Sequence, residues 1–341
     1  MKNVRIGMIG FGNVGQGFVQ VIAQKRELLR GEYGINPLIT AISDKVKGSL
    51  RNDDGLDLGL LQKVPVSFAD FETNEIVGWD APEMIAESRS DVILELSIAN
   101  YETGEPALSY MTQALNAGKS VITSNKGPIA LSYRSLNGLA QKNGVGLGIE
   151  GTVMSGTPAI HVGKELLYSA GITAVRGIFN GTCNYILSEM KSGRSFEEAL
   201  SLAQKLGFAE ADPTLDISGM DTAMKIAILS EVLFGERIVP TEIPVTGISD
   251  LTTEDIREAA DQKCVRKLIG TIQTTNDRPE LSVKPVLLPF NDPLAQINGA
   301  MNAIQFETDF LGQVTLIGPG AGRLETADGL LQDLISLFRE K

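Results

Sequence analysis

The sequence holds one histidine, His161, one tryptophan and two cysteines among 341 residues. A lone histidine excludes multi-histidine metal centres and leaves imidazole chemistry to a single position, so another side chain must move protons in any reaction catalysed here. Cys183 and Cys264 cannot build a disulfide framework, and no Cys-x-x-Cys spacing marks a zinc or redox site. No apolar run approaches the ~20 residues of a membrane span. The chain opens directly on a strand and glycine turn, MKNVRIGMIGFGNVG, and a cytoplasmic location is expected. Basic charge is scarce too, with 30 lysines and arginines against 42 acidic residues and a net charge of −12. That balance disfavours nucleic acid and anionic membranes as partners and points to a small molecule.

Glycine is in excess, with 36 residues where a usual ~7% would give about two thirds of that. The length suggests two domains at about 150 residues each. In the first half, strand-like runs at 4–9, 38–43, 92–96, 120–123 and 146–149 alternate with helical stretches at 14–30, 106–117 and 131–143. Residues 48–59 form a polar insertion rich in Asn, Asp and Gly. Such alternation favours a parallel α/β sheet. Beyond Glu150 the rhythm changes: helices at 157–169, 196–206 and 221–234 and strands at 175–179, 281–288 and 314–317 indicate an α+β domain. Ser195 and Glu198 have capping-box spacing, and Gly207 closes that helix. The amphipathic tail, 327–339, is expected to pack back on the first domain. The reading is therefore α/β: an N-terminal Rossmann dinucleotide-binding domain at 1–150, completed by 318–341, and a second α+β domain at 151–317.

Gly10-Phe11-Gly12-Asn13-Val14-Gly15 matches G-x-G-x-x-G, after an apolar strand and before a helix. The first glycine permits the turn, the second admits a pyrophosphate to the backbone, and the third lets helix and strand pack closely. Asp44 follows the second strand, where a carboxylate would hold a ribose 2′-hydroxyl and favour NAD; Lys45, Lys47 and Arg51 nearby could instead meet a 2′-phosphate, so NAD and NADP both stay open. Ligands of such sheets collect at the carboxyl ends of strands, which here places Ser97 and Lys126 at the site.

Between Thr222 and Phe234 the only charges are Lys225 and Glu231. A helix without a charged stripe is mostly buried, so Lys225 must line a cleft or pair internally. Asp221 lies four residues earlier on the same face; the two form either a pair poised for proton transfer or a structural ion pair. Glu210, Asp212 and Asp216 add carboxylates to the preceding loop, suited to an ammonium-bearing substrate if they gather round a cleft, though Asp212-Pro213 also reads as a turn initiator.

At this point the motifs resemble homoserine dehydrogenase. The resemblance spans the chain: GFGNVG at 10–15, TGEPAL at 103–108, AGKSVITSNKGPIAL at 117–131, EGTVMSGTP at 150–158, FNGTCNYIL at 179–187, LGFAEADPTLDISGMDTAMKIAIL at 206–229, and GPGAG at 318–322 followed by TADGLL. It implies NAD(P)-dependent interconversion of L-aspartate 4-semialdehyde and L-homoserine, in the biosynthesis of threonine, methionine and isoleucine. By motif, Lys225 stands at the catalytic lysine, Lys126 at a second lysine for the reacting oxygen, and Glu210, Asp216 and Asp221 at carboxylates that bind or orient substrate. Gly207, Asn180, Gly181 and Thr182 would line the same pocket, and Gly322 would close over the nicotinamide. Phe208 stands where some members carry tyrosine. The resemblance also implies a monovalent cation, sodium, on Glu150, Val153, Ser155 and Thr157, and a homodimer formed through the second, catalytic domain. A C-terminal ACT domain and a fused aspartate kinase are not expected. Two rivals differ in their residues. Aspartate-semialdehyde dehydrogenase chemistry needs a cysteine nucleophile with a histidine base, and a nucleotide sensor would have no reason to keep Lys126, Glu210, Asp221 and Lys225 together. His161 reads as structural.

Overall fold

In the computed structural model, which describes residues 1–63, 66–275 and 278–339, the chain forms two compact units. The first comprises residues 1–156 and the segment from Gly322 onward; the second runs from Thr157 to Ala321.

The first unit contains β1 (Lys2–Ile9), α1 (Asn13–Gly31), β2 (Ile35–Asp44), β3 (Gly48–Arg51), α2 (Leu58–Leu61), β4 (Ile76–Val77), α3 (Ala81–Glu87), β5 (Val92–Glu95), α4 (Ala107–Asn116), β6 (Ser120–Thr123), α5 (Lys126–Lys142) and β7 (Leu147–Gly148). The sheet order is β4-β3-β2-β1-β5-β6-β7. β2, β1, β5, β6 and β7 run parallel, and β3 and β4 add an antiparallel edge. Strand order reverses at β1, so the crevice between the carboxyl ends of β1 and β5 is where such a sheet takes a ligand. The core is aliphatic, with Ile6, Met8, Ile42, Val92, Leu94 and Ile122 fully buried.

The second unit contains α6 (Ala159–His161), β8 (Ile172–Ile178), α7 (Gly181–Lys191), α8 (Phe196–Lys205), α9 (Thr214–Ile217), α10 (Met220–Leu229), α11 (Thr253–Asp261), β9 (Cys264–Thr275), β10 (Arg278–Pro289), β11 (Met301–Thr308) and β12 (Gly312–Pro319). Its sheet, β10-β9-β8-β11-β12, is antiparallel throughout. The chain then returns to the first unit as α12 (Arg323–Phe338), whose Leu330, Leu331, Leu334 and Phe338 join that unit's core. Gly17 of α1 makes the contact possible, since a Cβ there would fall 2.6 Å from the Arg323 carbonyl oxygen. This is the tail packing expected from its amphipathic pattern.

Several elements differ from the sequence reading. The insertion at 48–59 holds a strand, β3, in antiparallel register with the end of β2. α5 begins at Lys126, five residues before the expected start. Pro128 is its third residue, where no intrahelical acceptor exists for an N–H, so the proline costs no hydrogen bond. The helix expected at 157–169 is broken into α6, a π turn at Val162–Leu166 and a 3₁₀ turn at Tyr168–Ala170. Gly163 in the π turn packs against Leu233 and Phe306, which a side chain there would displace. The helix expected at 221–234 likewise ends at Leu229 and continues as a π turn. Among the described residues no helix is long and apolar enough to cross a membrane.

Candidate active site

The glycine turn folds as the motif requires. Gly10 has φ +86°, and a Cβ on it would lie 2.6 Å from the Leu96 carbonyl oxygen at the end of β5. Nothing lies within 4 Å of the Cβ position of Gly12, which leaves room for a phosphate at the backbone. Gly12 is also the N-cap of α1 and gives its first turn no side-chain cap, so the N-terminal N–H groups and the helix dipole face the turn. A cavity of about 700 Å³ opens here, lined by Gly10, Gly12, Asp44, Trp79, Ser97 and Tyr110 among others.

Asp44 is bonded into the turn. Its Oδ2 accepts the Phe11 N–H at 2.7 Å, and its Oδ1 accepts the Val46 and Lys47 N–H groups, each at 2.9 Å. Burial alone would raise its pKa, but the N–H donors of Lys47, Phe11 and Val46 together with the Lys47 charge outweigh it and hold the carboxyl below its ordinary value. Asp44 is therefore an anion in the cavity wall. Two of the three neighbouring cations are engaged elsewhere: Lys47 donates to the Phe11 carbonyl at 3.1 Å, and Arg51 forms a two-point pair with Asp53, both bonds 3.1 Å, beside Trp79. Trp79 and Tyr110 of the lining went unread in the sequence, although the only tryptophan of the chain was a signal within reach.

Ser97 and Lys126 sit at the ends of β5 and β6. Lys126 is the first residue of α5, half-buried, with its Nζ 6.0 Å from the Tyr101 ring centre. Asn125 caps that helix by accepting the Gly127 N–H at 3.3 Å.

In the second unit the structure gathers Asn180, Asp216, Asp221 and Lys225. Lys225 Nζ lies 2.8 Å from Asp221 Oδ2 and donates to the Phe179 carbonyl at 2.5 Å; both side chains are 7% exposed. Asn180 donates one amide hydrogen to Asp216 at 2.7 Å and the other to Asp221 at 2.9 Å, while its Oδ1 caps α7 through the Cys183 N–H at 2.8 Å. Thr182 donates its hydroxyl to the Phe208 carbonyl at 2.5 Å, and the Phe208 ring packs tilted against Tyr185, with ring centres 4.9 Å apart. Gly207, φ +77°, ends α8 beside them. Glu210 is exposed on the loop, outside this cluster. Asp212 accepts from the Thr214 N–H and hydroxyl, the turn role its proline neighbour suggested. Cys183 is buried and its thiol is pushed well up, by burial first and then by Asp216 and Asp221, so it is no nucleophile. His161 lies 3.9 Å from Glu165, four residues further on.

Glu150 is fully buried, and its N–H donates to Asp333 at 2.9 Å. Val153 and Ser155 follow, Ser155 with φ +58° and its hydroxyl 2.8 Å from that of Thr326. Thr157, first residue of the second unit, donates its hydroxyl to the Pro319 carbonyl at 3.0 Å. Gly322 opens α12 at φ 138°, with the Glu325 carboxylate filling the space a Cβ would need.

Comparison with known proteins decides the family. The model of the homoserine dehydrogenase NAD-binding domain matches residues 10–150, and the homoserine dehydrogenase model matches residues 158–335. The chain belongs to the homoserine dehydrogenase family. It is an NAD(P)-dependent oxidoreductase, with the glycine turn and the buried lysine on separate units, as the motifs indicated. It is 40% identical to an NAD(+)-dependent homoserine dehydrogenase of Pseudomonas canavaninivorans, covering 99% of this chain and 97% of that one. A homoserine dehydrogenase crystal structure from Thiobacillus denitrificans superposes with a TM-score of 0.86 at 32% identity, covering 99% of this chain and 74% of that one. A hyperthermophilic archaeal homoserine dehydrogenase in complex with NADPH gives 0.83 at 30% identity, covering 98% of both chains.

Proposed function

We propose that this dehydrogenase interconverts L-homoserine and L-aspartate 4-semialdehyde with Lys225 as its acid/base. The observation that carries the proposal is the lysine itself, more than nine-tenths buried yet held at 2.8 Å by a carboxylate that Asn180 also holds. NAD(P)H supplies a hydride when bound. In the reducing direction the aldehyde oxygen gains negative charge, Lys225 donates the proton that completes the alcohol, and Lys126 adds positive charge for that oxygen. In the reverse direction Lys225 takes the hydroxyl proton. Asp221 orients Lys225, and Asp216 answers the substrate ammonium, with Glu210 a further carboxylate on the exposed loop before it. Asn180, Gly181, Thr182 and Gly207 line the substrate pocket.

The turn Gly10, Phe11, Gly12, Asn13, Val14 and Gly15 would hold the cofactor, a reading supported by the cavity that Gly10 and Gly12 line and by the room at Gly12 for a pyrophosphate. NAD is favoured over NADP because the Asp44 carboxylate is charged in the cavity wall while Lys47 and Arg51 are engaged by Phe11 and Asp53. The oxygen donors of Glu150, Val153, Ser155 and Thr157 suit a hard monovalent cation such as sodium. A homodimer through the second unit is supported by the exposed Tyr168, Phe310 and Leu311, which cluster where the Asp309 and Phe310 N–H groups bond to Gly171 and Ala170.

The test is homoserine-dependent formation of reduced nicotinamide, followed by absorbance with NAD⁺ and NADP⁺ in parallel. Turnover with homoserine, higher with NAD⁺, is expected. A protein that binds NAD⁺ but turns over neither homoserine nor the semialdehyde would be a nucleotide sensor instead.

A further inference from the structure

One fully buried carboxyl of the first unit has no part in the reaction described above. Glu95 ends β5, at the point where strand order reverses, and is 0% exposed. Its Oε1 accepts the Ser97 N–H at 3.0 Å and also the Ser97 hydroxyl. Its Oε2 accepts from Asn125 Nδ2 at 3.3 Å and lies 3.3 Å from Thr123 Oγ1. No lysine, arginine or histidine is among these partners. A buried carboxylate without a cation is costly, so its four contacts must earn their place in another way.

Those contacts join two loops. Ser97 lies in the loop after β5 and lines the dinucleotide cavity. Asn125 follows β6, caps α5 and precedes Lys126, the first residue of that helix. The other side of the crevice, at β1 and β2, carries the glycine turn and Asp44, which serve the pyrophosphate and the adenine ribose. The loops after β5 and β6 therefore face the nicotinamide half. We propose that Glu95 is a positioning residue of the dehydrogenase: it clamps the Ser97 loop to the Asn125 cap and so fixes the nicotinamide side of the cavity and Lys126. The inference rests on the dehydrogenase reading given above.

The Thr123 hydroxyl donates to the Glu95 main-chain carbonyl at 2.8 Å and, at the longer distance of 3.3 Å, to Oε2. The Asn125 N–H donates into the same Thr123 oxygen at 2.9 Å. Thr123 Oγ1 is thus shared between the main chain and the side chain of Glu95. Burial raises the carboxyl above its ordinary value, the bonds from Ser97, Asn125 and Thr123 offsetting this in part. Glu95 thus accepts from Ser97, Thr123 and Asn125, and one carboxyl ties the three together.

The experiment compares wild type, Glu95→Gln and Glu95→Ala in the full-length protein, by titration with NADH and with ADP-ribose and by steady-state oxidation of homoserine. Glutamine keeps the acceptor for Ser97 and brings a donor to the Thr123 oxygen, and Asn125 can turn to the Ser97 carbonyl 3.5 Å away. Glu95→Gln is expected to stay within about threefold of wild type in every readout. Glu95→Ala is expected to lose about tenfold in kcat and in NADH affinity with ADP-ribose affinity and homoserine KM unchanged, a pattern that general loss of structure would not give. Wild-type NADH affinity in Glu95→Ala overturns the proposal, as does a glutamine variant as impaired as the alanine one. The two ligand titrations read binding alone, so their outcome stands apart from whether the wild type oxidises homoserine.

Discussion

Lys225 and Asp221 stand one turn apart on α10, with Nζ and Oδ2 2.8 Å from each other, and every residue from Asp221 to Leu229 is buried. A buried pair of this kind does not by itself stabilise a fold, because desolvating two charges offsets most of their attraction. Here each partner is also hydrogen-bonded, Lys225 to the Phe179 carbonyl and Asp221 to Asn180. The pair is thus held in one geometry, which is what proton transfer at a fixed oxygen requires.

Lys225→Ala should reduce kcat by about 10²–10⁴-fold, the usual contribution of a positioned acid/base. Affinity for NAD(H) should be unchanged, because the glycine turn and Asp44 belong to the first unit. Steady-state kinetics alongside NADH fluorescence titration separate the two, and wild-type turnover in the variant would remove Lys225 from the mechanism.

Asp44→Ser should shift cofactor choice. A unit charge about 4 Å from another costs roughly 1–4 kcal/mol between water and a protein surface, so the wild-type carboxylate should disfavour a 2′-phosphate by about fivefold or more. Serine keeps an acceptor for the Phe11 N–H and removes the charge. The ratio of kcat/KM for NADP⁺ to that for NAD⁺ should rise by at least that factor; an unchanged ratio would mean that Lys45, exposed at the cavity rim, already sets the preference.

Much of this was legible in the sequence because local chemistry and tertiary role coincide. Gly10, Gly12 and Gly15 are readable since a turn, a phosphate approach and a helix contact each demand a missing side chain, and β6 was read at its observed limits from an apolar run between glycines. The capping box at Ser195 and Glu198 is present with both bonds. What failed depended on partners far along the chain. β9 and β11 were not read as strands, although Asn298-Gly299 just before β11 is a turn signal; the strand that both pair with, β8, lies far away along the chain. Glu95 went unread, since Ser97, Thr123 and Asn125 converge on it only once β5 and β6 are paired.

Asn180→Ala should impair substrate use and stability together. The side chain caps α7 and holds Asp216 and Asp221 with its two amide hydrogens. Loss of the cap costs about 1 kcal/mol. Releasing the two carboxylates should raise homoserine KM several-fold and leave NADH affinity unchanged. Thermal denaturation and KM measured on the same preparation check both, and an unchanged KM would reduce Asn180 to a helix cap.

Lys267 gives a prediction whose sign is opposite to that of a paired lysine. It is 2% exposed on β9, held by Asn184 Oδ1 at 2.8 Å and by the Ile297 carbonyl, with no carboxylate among these contacts. Burial, with a smaller contribution from Lys191, lowers its pKa to about 8. In the unfolded chain it returns to about 10.4. Below pH 8 both states are protonated, and the cost of the buried charge is constant. Between the two values the unfolded chain binds more protons, so stability rises with pH as the folded state is relieved of that charge. Relative to Lys267→Met, the wild type should therefore gain about 2 kcal/mol between pH 7 and pH 9.5. Urea denaturation of both proteins at the two pH values measures the difference, and a gap that stays constant or narrows against the wild type would show that the ammonium stays fully protonated in the fold.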